Sequence, residues 1–177
     1  MTKPLRFRDI GQTIYDFGHS FWVHCPQCDR LSTVIPFSAS ASESAPLPQT
    51  QTHKIFDRHR LSCKYCGYSK DWQGNSVTIG GDRDWYFNLT LWLQIPCCGE
   101  ILWVYNAEHL DFLENFVRAK LRERWYASPR ELPDPKLGWQ NQSLASRLPN
   151  WLQSAKNRQQ VLHGIAKLRE KLPDTSN

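Results

Sequence analysis

The sequence predicts an α+β protein in which an antiparallel β region is followed by helices. Three observations lead there. Two cysteine pairs, Cys25-Pro26-Gln27-Cys28 and Cys63-Lys64-Tyr65-Cys66-Gly67, each sit between short strand-like runs. Apolar residues alternate from Trp85 to Ile95, which is the period of a sheet with one buried face. After Asn106 the period changes, and Leu110, Leu113, Val117 and Leu121 recur at helical spacing.

With 177 residues the chain is long enough for one compact domain or two small ones sharing a core. Its eight tryptophans (Trp22, Trp72, Trp85, Trp92, Trp103, Trp125, Trp139 and Trp151) bring enough aromatic area to build that core without disulfides. A net charge of +5 allows a nucleic-acid partner without requiring one. The start, Met1 to Arg8, leads into no apolar signal-peptide core, and no apolar run reaches membrane-spanning length. A cytoplasmic, reducing setting is therefore expected for the six cysteines. In that setting paired C-x-x-C turns read as a metal site rather than as disulfides.

Residues 1–20 show no clear period. Phe21-Trp22-Val23 and Leu31 to Phe37 read as strands flanking the first cysteine turn. Residues 38 to about 53, rich in serine, alanine and proline, read as a disordered insertion between the cysteine pairs. Lengthening a loop costs free energy only logarithmically, so the insertion does not weaken the pairing of the two turns. Lys54 to Ser62 and Tyr68 to Trp72 flank the second turn as strands, and Val77-Thr78-Ile79 reads as a further short one. Trp85, Phe87, Leu89, Leu91, Leu93 and Ile95 would then share one sheet face. Ile101 to Tyr105 returns as the other arm of an antiparallel hairpin across Pro96-Cys97-Cys98-Gly99.

Asn106 is the expected N-cap of a helix from Ala107 to about Trp125, stopped by Ser128-Pro129. A proline-containing connector, Glu131 to Gln142, leads to a short helix over Ser143 to Leu148. Asn157 and Gln160 have capping-box spacing and open a helix with Val161, Leu162, Ile165, Leu168 and Leu172 on one face. The expected organisation is a β region over residues 1–106 and a helical region with a basic tail over residues 107–177.

Cys25, Cys28, Cys63 and Cys66 are the expected metal ligands. Two C-x-x-C turns brought together supply four thiolates, the closed tetrahedral shell that structural Zn2+ prefers. Pro26 stiffens the first turn, and Gly67 tolerates positive φ after the last ligand. On these motifs, residues 21–72 resemble a zinc ribbon of the transcription-factor-IIB type, and the rest of the chain is similar to uncharacterised bacterial zinc-ribbon proteins. The resemblance implies a structural zinc ribbon, and the succession from hairpin to helix without a linker at residues 96–107 predicts that the ribbon joins the hairpin with the helices packed on the sheet. It fixes a site and not a job. A thioredoxin-like redox role would need one pair at a helix N-terminus, and four thiolates leave no open position for catalytic zinc.

Cys97 and Cys98 admit two readings. Adjacent side chains diverge in an extended chain, so a tight turn with partly buried thiols is the plain one. The other is a second metal or thiol site with His24 or His109 as further ligands. The basic residues fall in two runs. Lys54, Arg58, Arg60 and Lys64, with His53, Phe56, His59 and Tyr65 interleaved, suit phosphate contact and base stacking, or else form the polar outer face of a small ribbon. Lys156, Arg158, Lys167 and Lys171, with Arg147 and Arg169, make a basic C-terminal stretch suited to phosphates. However, Arg158 and Arg169 project into the apolar arc and Lys167 and Lys171 opposite it, so they form no single stripe, and core packing explains the apolar face without a ligand.

The sequence contains no G-x-S-x-G, no phosphate-cradling glycine loop and no H-E-x-x-H, so no enzyme is expected. The expected function is that of a non-enzymatic zinc-binding protein that binds DNA or RNA, or a protein complex acting on it. The alternative is a protein–protein interaction factor, an adaptor or an inhibitor, in which zinc only holds the fold.

Overall fold

The computed structural model describes residues 5–37, 57–123 and 143–173. Strand β1 (Arg6–Arg8) and a 3-10 turn (Ile14–Phe17) come first. Strands β2 (Phe21–His24), β3 (Leu31–Pro36), β4 (His59–Ser62) and β5 (Ser69–Asp71) form one antiparallel sheet in that order. Strands β6 (Gln94–Cys97) and β7 (Glu100–Trp103) make a separate hairpin. Helix α1 (Ala107–Arg118), strand β8 (Leu121–Glu123) and helices α2 (Leu144–Arg147), α3 (Asn150–Gln153) and α4 (Arg158–Glu170) complete the described chain. The architecture is mixed α and β, with antiparallel sheets and C-terminal helices, as the sequence predicts.

Alternation along β2, β3 and β4 places Phe21, Val34 and Leu61 in register across three strands, all of them buried. Each such side chain withdrawn from water contributes about 1.5–3 kcal/mol, so the sheet acquires one inner face. The outer edge of β2 is covered rather than open. The His24 N–H donates to the Thr90 carbonyl at 3.0 Å, the Trp92 N–H to Trp22 at 2.8 Å, and the Trp22 N–H to Tyr105 at 2.9 Å. This use of the edge groups removes a template for unwanted strand pairing.

Asn106 ties the first helix to the start of the chain. Its Oδ1 accepts from the His109 N–H at 3.0 Å, the N-cap bond expected of it, and its Nδ2 donates to the Phe17 and Ser20 carbonyls at 2.9 Å each. Leu110, Leu113 and Val117 of α1 meet Val161, Ile165 and Leu168 of α4 in one continuous core. Gly164 lets α4 approach the hairpin. A Cβ there would stand 3.0 Å from the Leu102 side chain and 3.3 Å from that of Ile95.

The structure departs from the sequence reading in several places. Trp85 to Ile95 is not one strand: only Gln94 onward belongs to β6. The buried Asp84 carboxylate accepts from the Tyr86, Phe87 and Leu89 amides at 2.9, 2.8 and 2.6 Å, and Asn88 takes φ 56°. One carboxylate thereby winds residues 84–89 into a loop, satisfying amides that a strand would give to its neighbour. Trp85 and Tyr86 are consecutive and both buried, which a strand with one wet face does not allow. Val77-Thr78-Ile79 forms no strand either.

Helix α1 stops at Arg118 rather than near Trp125, which lies outside the described residues. Ala119 turns extended, the Lys120 and Leu121 amides donate to the Leu5 carbonyl, and β8 pairs in parallel with β1, Leu121 opposite Arg6. Helical spacing at Leu121 was overridden by a partner from the far end of the chain. Asn157 forms no capping box: its backbone is helical and its Nδ2 donates to the Trp151 carbonyl at 3.0 Å. The insertion expected at about 38–53 also lies outside the described residues.

Candidate metal centre

Both cysteine turns close hairpins at the same end of the four-stranded sheet, Cys25 and Cys28 between β2 and β3, Cys63 and Cys66 between β4 and β5. The two turns repeat one hydrogen-bond pattern. The Cys25 N–H donates to the Arg30 carbonyl and the Cys63 N–H to that of Tyr68, both at 2.8 Å. The Asp29 N–H returns to the Cys25 carbonyl at 2.9 Å and the Gly67 N–H to that of Cys63 at 3.0 Å. Asp29 and Gly67 are both left-handed, with φ 59° and 75°. Glycine takes that conformation freely, and aspartate is among the few others that visit it routinely.

The pairing of β3 with β4 brings the turns together. All four sulfurs lie within 4.8 Å of one another, with Cys25 and Cys66, and Cys28 and Cys63, each 3.6 Å apart. A tetrahedral centre with bonds of about 2.3 Å sets its sulfurs about 3.8 Å apart, whereas a disulfide would need about 2.05 Å. The sulfurs also sit in a cradle of backbone amides. Gln27 faces Cys25, Arg30 faces Cys28, Tyr65 and Cys66 face Cys63, and Tyr68 faces Cys66. Amides aimed at sulfur favour the thiolate, the form that binds metal. The donor set, its spacing and its cradle fit a closed four-thiolate metal site.

The thiols do not ionise alike. The Arg30 amide lowers Cys28, but burial and the thiols of Cys66, Cys63 and Cys25 outweigh it and push Cys28 up to about 12. Burial raises Cys63, yet the amides of Cys66 and Tyr65 and the thiols of Cys28 and Cys66 bring it down to about 7. The Tyr68 amide lowers Cys66, and burial with the thiols of Cys25 and Cys63 leaves it raised. Cys25 and Cys63 are buried, while Cys66 faces solvent.

Cys97 and Cys98 lie apart, at the tip of the β6–β7 hairpin, with sulfurs 3.7 Å from each other. Neither histidine considered for them is tied to that tip. His24 stands beside the first cysteine turn, its Nδ1 3.0 Å from Asp29 Oδ1 and its ring 4.8 Å from that of Trp92. His109 is in the core, stacked on Phe17 at 4.9 Å, its Nδ1 accepting from the Tyr105 N–H at 3.4 Å, and burial lowers its pKa to about 3. Among the described residues, Cys25, Cys28, Cys63 and Cys66 form the only group of three or more metal-ligating side chains.

The basic runs divide into members tethered within the fold and members that are exposed. Arg60 donates twice to Asp71, at 2.6 and 2.9 Å, with its guanidinium 3.4 Å from the centre of the Phe37 ring. Arg158 donates to the Ala119 carbonyl beyond the end of α1 at 3.3 Å, and Lys171 Nζ to the Gln94 carbonyl at 3.0 Å. Arg169 pairs with Asp111 and Glu114. Arg58, Lys64, Lys156 and Lys167 are exposed, and Lys54 lies outside the described residues. His59, expected on a wet strand face, is instead buried, stacked on Tyr86 at 3.7 Å with its Nδ1 2.7 Å from the Asp57 carbonyl.

Sequence reasoning missed Arg30. Its guanidinium lies 5.1 Å from the centre of the Tyr65 ring, which is 64% exposed at the tip of the second turn. Aligning Cys28-Asp29-Arg30 with Cys66-Gly67-Tyr68 was the available signal, since it places Arg30 just past the first pair of ligands.

No protein-family model, no curated protein and no solved structure matches the chain. Among the described residues no helix is long and apolar enough to cross a membrane.

Proposed function

We propose that Cys25, Cys28, Cys63 and Cys66 hold one structural Zn2+, and that residues 21–72 form a zinc ribbon within a non-enzymatic protein that binds nucleic acid. The observation that carries the zinc reading is the set of four sulfurs within 4.8 Å of one another, closed by two turns of identical hydrogen bonding. Zinc accepts four thiolates tetrahedrally and leaves no position for substrate, so its role is to hold the sheet.

The nucleic-acid reading rests on the exposed tip beside that site. Tyr65 offers a ring on which a base can stack, Arg30 lies over the same ring, and Lys64 and Arg58 supply exposed cations for phosphates. Lys156 and Lys167 are a second exposed pair, while Arg60, Arg158 and Lys171 are engaged within the fold. Metal analysis should give one zinc per chain. Fluorescence anisotropy with single-stranded and duplex DNA and RNA should show affinity falling linearly in log–log form with salt. Tyr65→Ala should cost about 1–3 kcal/mol of binding. Absence of binding to every form, or binding indifferent to salt, overturns the reading.

A specific observation favours the protein-partner alternative. Leu5, Ile10 and Leu121 are 53%, 66% and 44% exposed around the β1–β8 pair, which carries no further strand among the described residues. A protein partner held there would be released by Ile10→Asp while nucleic-acid binding stayed unchanged.

A further inference from the structure

The β6–β7 hairpin breaks a local rule. Cys97 pairs with Glu100, so Cys98 and Gly99 form a two-residue turn, and both are left-handed, with φ 56° and 82°. Such turns take asparagine, aspartate or glycine at the first position. Cysteine there is strained, and the contact its side chain makes is with the neighbouring Cys97 sulfur rather than with the turn's own backbone. An outlier of this kind points to a role for the side chain.

The sulfurs themselves supply the second observation. Cys97 and Cys98 Sγ are 3.7 Å apart, within about a tenth of an ångström of the spacing found in the four-cysteine site. Neighbouring Cα atoms are about 3.8 Å apart, short of the roughly 4.4 Å that an unstrained disulfide needs. A direct S–S bond is therefore disfavoured, while an atom bridging both sulfurs is not. The third observation is how Cys97 is seated. Its sulfur is buried against α4, 3.7 Å from the Gln160 carbonyl, and a Cβ on Gly164 would come to 3.5 Å from it. Cys98 is half-buried, and the residues flanking the pair, Pro96 and Gly99, are exposed.

We propose that Cys97 and Cys98 form a two-thiol site for a trivalent, thiophilic centre of the arsenic(III) class, independent of the four-cysteine site. Zinc asks for four ligands, and among the described residues no other cysteine, histidine or carboxylate completes a set here. A trivalent centre that keeps one substituent asks for two. With an organoarsenic(III) oxide, two As–S bonds form and the As–O bond is lost. Both thiol protons leave with the oxygen as water, and arsenic stays trivalent. Burial and the neighbouring Cys98 thiol push Cys97 up to about 11, so at neutral pH it brings the proton that this exchange removes.

The test uses the full-length, zinc-loaded chain and phenylarsine oxide, read by native mass spectrometry. One phenylarsenic adduct per chain is expected, with zinc retained, and excess 2,3-dimercaptopropanol should strip it. Cys98→Asn suits the turn and keeps the fold; it should weaken adduct formation at least tenfold, as should Cys97→Ala. An adduct that persists in Cys98→Asn, forms only as zinc is lost, or fails to form at all overturns the proposal.

Discussion

Asp29 and Gly67 occupy equivalent positions. Each follows the second cysteine of its turn, each is left-handed, and each returns its amide to the carbonyl of the first cysteine. They differ in strain, because only glycine is free of the Cβ clash. Gly67→Ala should cost about 1 kcal/mol. A Cβ there meets nothing within 4 Å, so the loss is in the backbone alone. Asp29→Gly should be close to neutral, since relief of strain offsets the lost His24 contact. Urea unfolding of the zinc-loaded protein measures both.

Metal removal has a local signature. Chelation should raise amide hydrogen exchange most at Cys25–Asp29 and Cys63–Gly67, whose turns meet through the sulfurs. Cys63→Ser should reproduce the effect in the presence of zinc. Metal affinity should fall as pH drops, because bound ligands are thiolates. Equal protection with and without metal would refute a structural role.

Asp84 holds its loop through three amides. Asp84→Ala strands them in a buried setting and should destabilise the protein by about 3 kcal/mol, against about 1 kcal/mol for Asp84→Asn, which keeps an acceptor. Chemical denaturation of the two variants checks the ranking.

The same loop shows where sequence pattern stops being informative. Alternation correctly placed Leu91 and Leu93 inside, and the two C-x-x-C motifs named the cysteines that the structure brings together. Pattern could not reveal that Asp84 takes the amides of Tyr86, Phe87 and Leu89, because a buried carboxylate leaves no periodic trace. Nor could it reveal that Leu121 pairs with Arg6, since a partner distant in sequence overrides local helical spacing. Charge misled for a related reason. Arg60 reads as a free cation until Asp71 is seen beside it.

Burial of His109 should make stability fall in acid. Burial holds its folded pKa at about 3, below the unfolded value of about 6.5. Between these values the unfolded chain binds the extra proton, so stability is full above about 6.5 and declines as pH falls towards about 3, by up to about 1.4 kcal/mol per pH unit. His59, also lowered by burial, acts in the same direction. His109→Phe should flatten the profile while retaining the stack on Phe17. Thermal unfolding of both proteins across this range, at saturating zinc, gives the comparison.

The far end of the four-stranded sheet has a practical meaning. The chain leaves β3 at Pro36 and re-enters β4 opposite it at His59, with the Phe37 amide donating to the Arg58 carbonyl at 2.7 Å. Exit and entry are neighbours, and they lie at the opposite pole of the strands from the cysteines. Whatever connects them has no gap to bridge, so its length is uncoupled from metal geometry. This junction is a natural graft point: a reporter domain spliced between residues 38 and 56 would ride on the sheet as cargo, leaving the four sulfurs undisturbed.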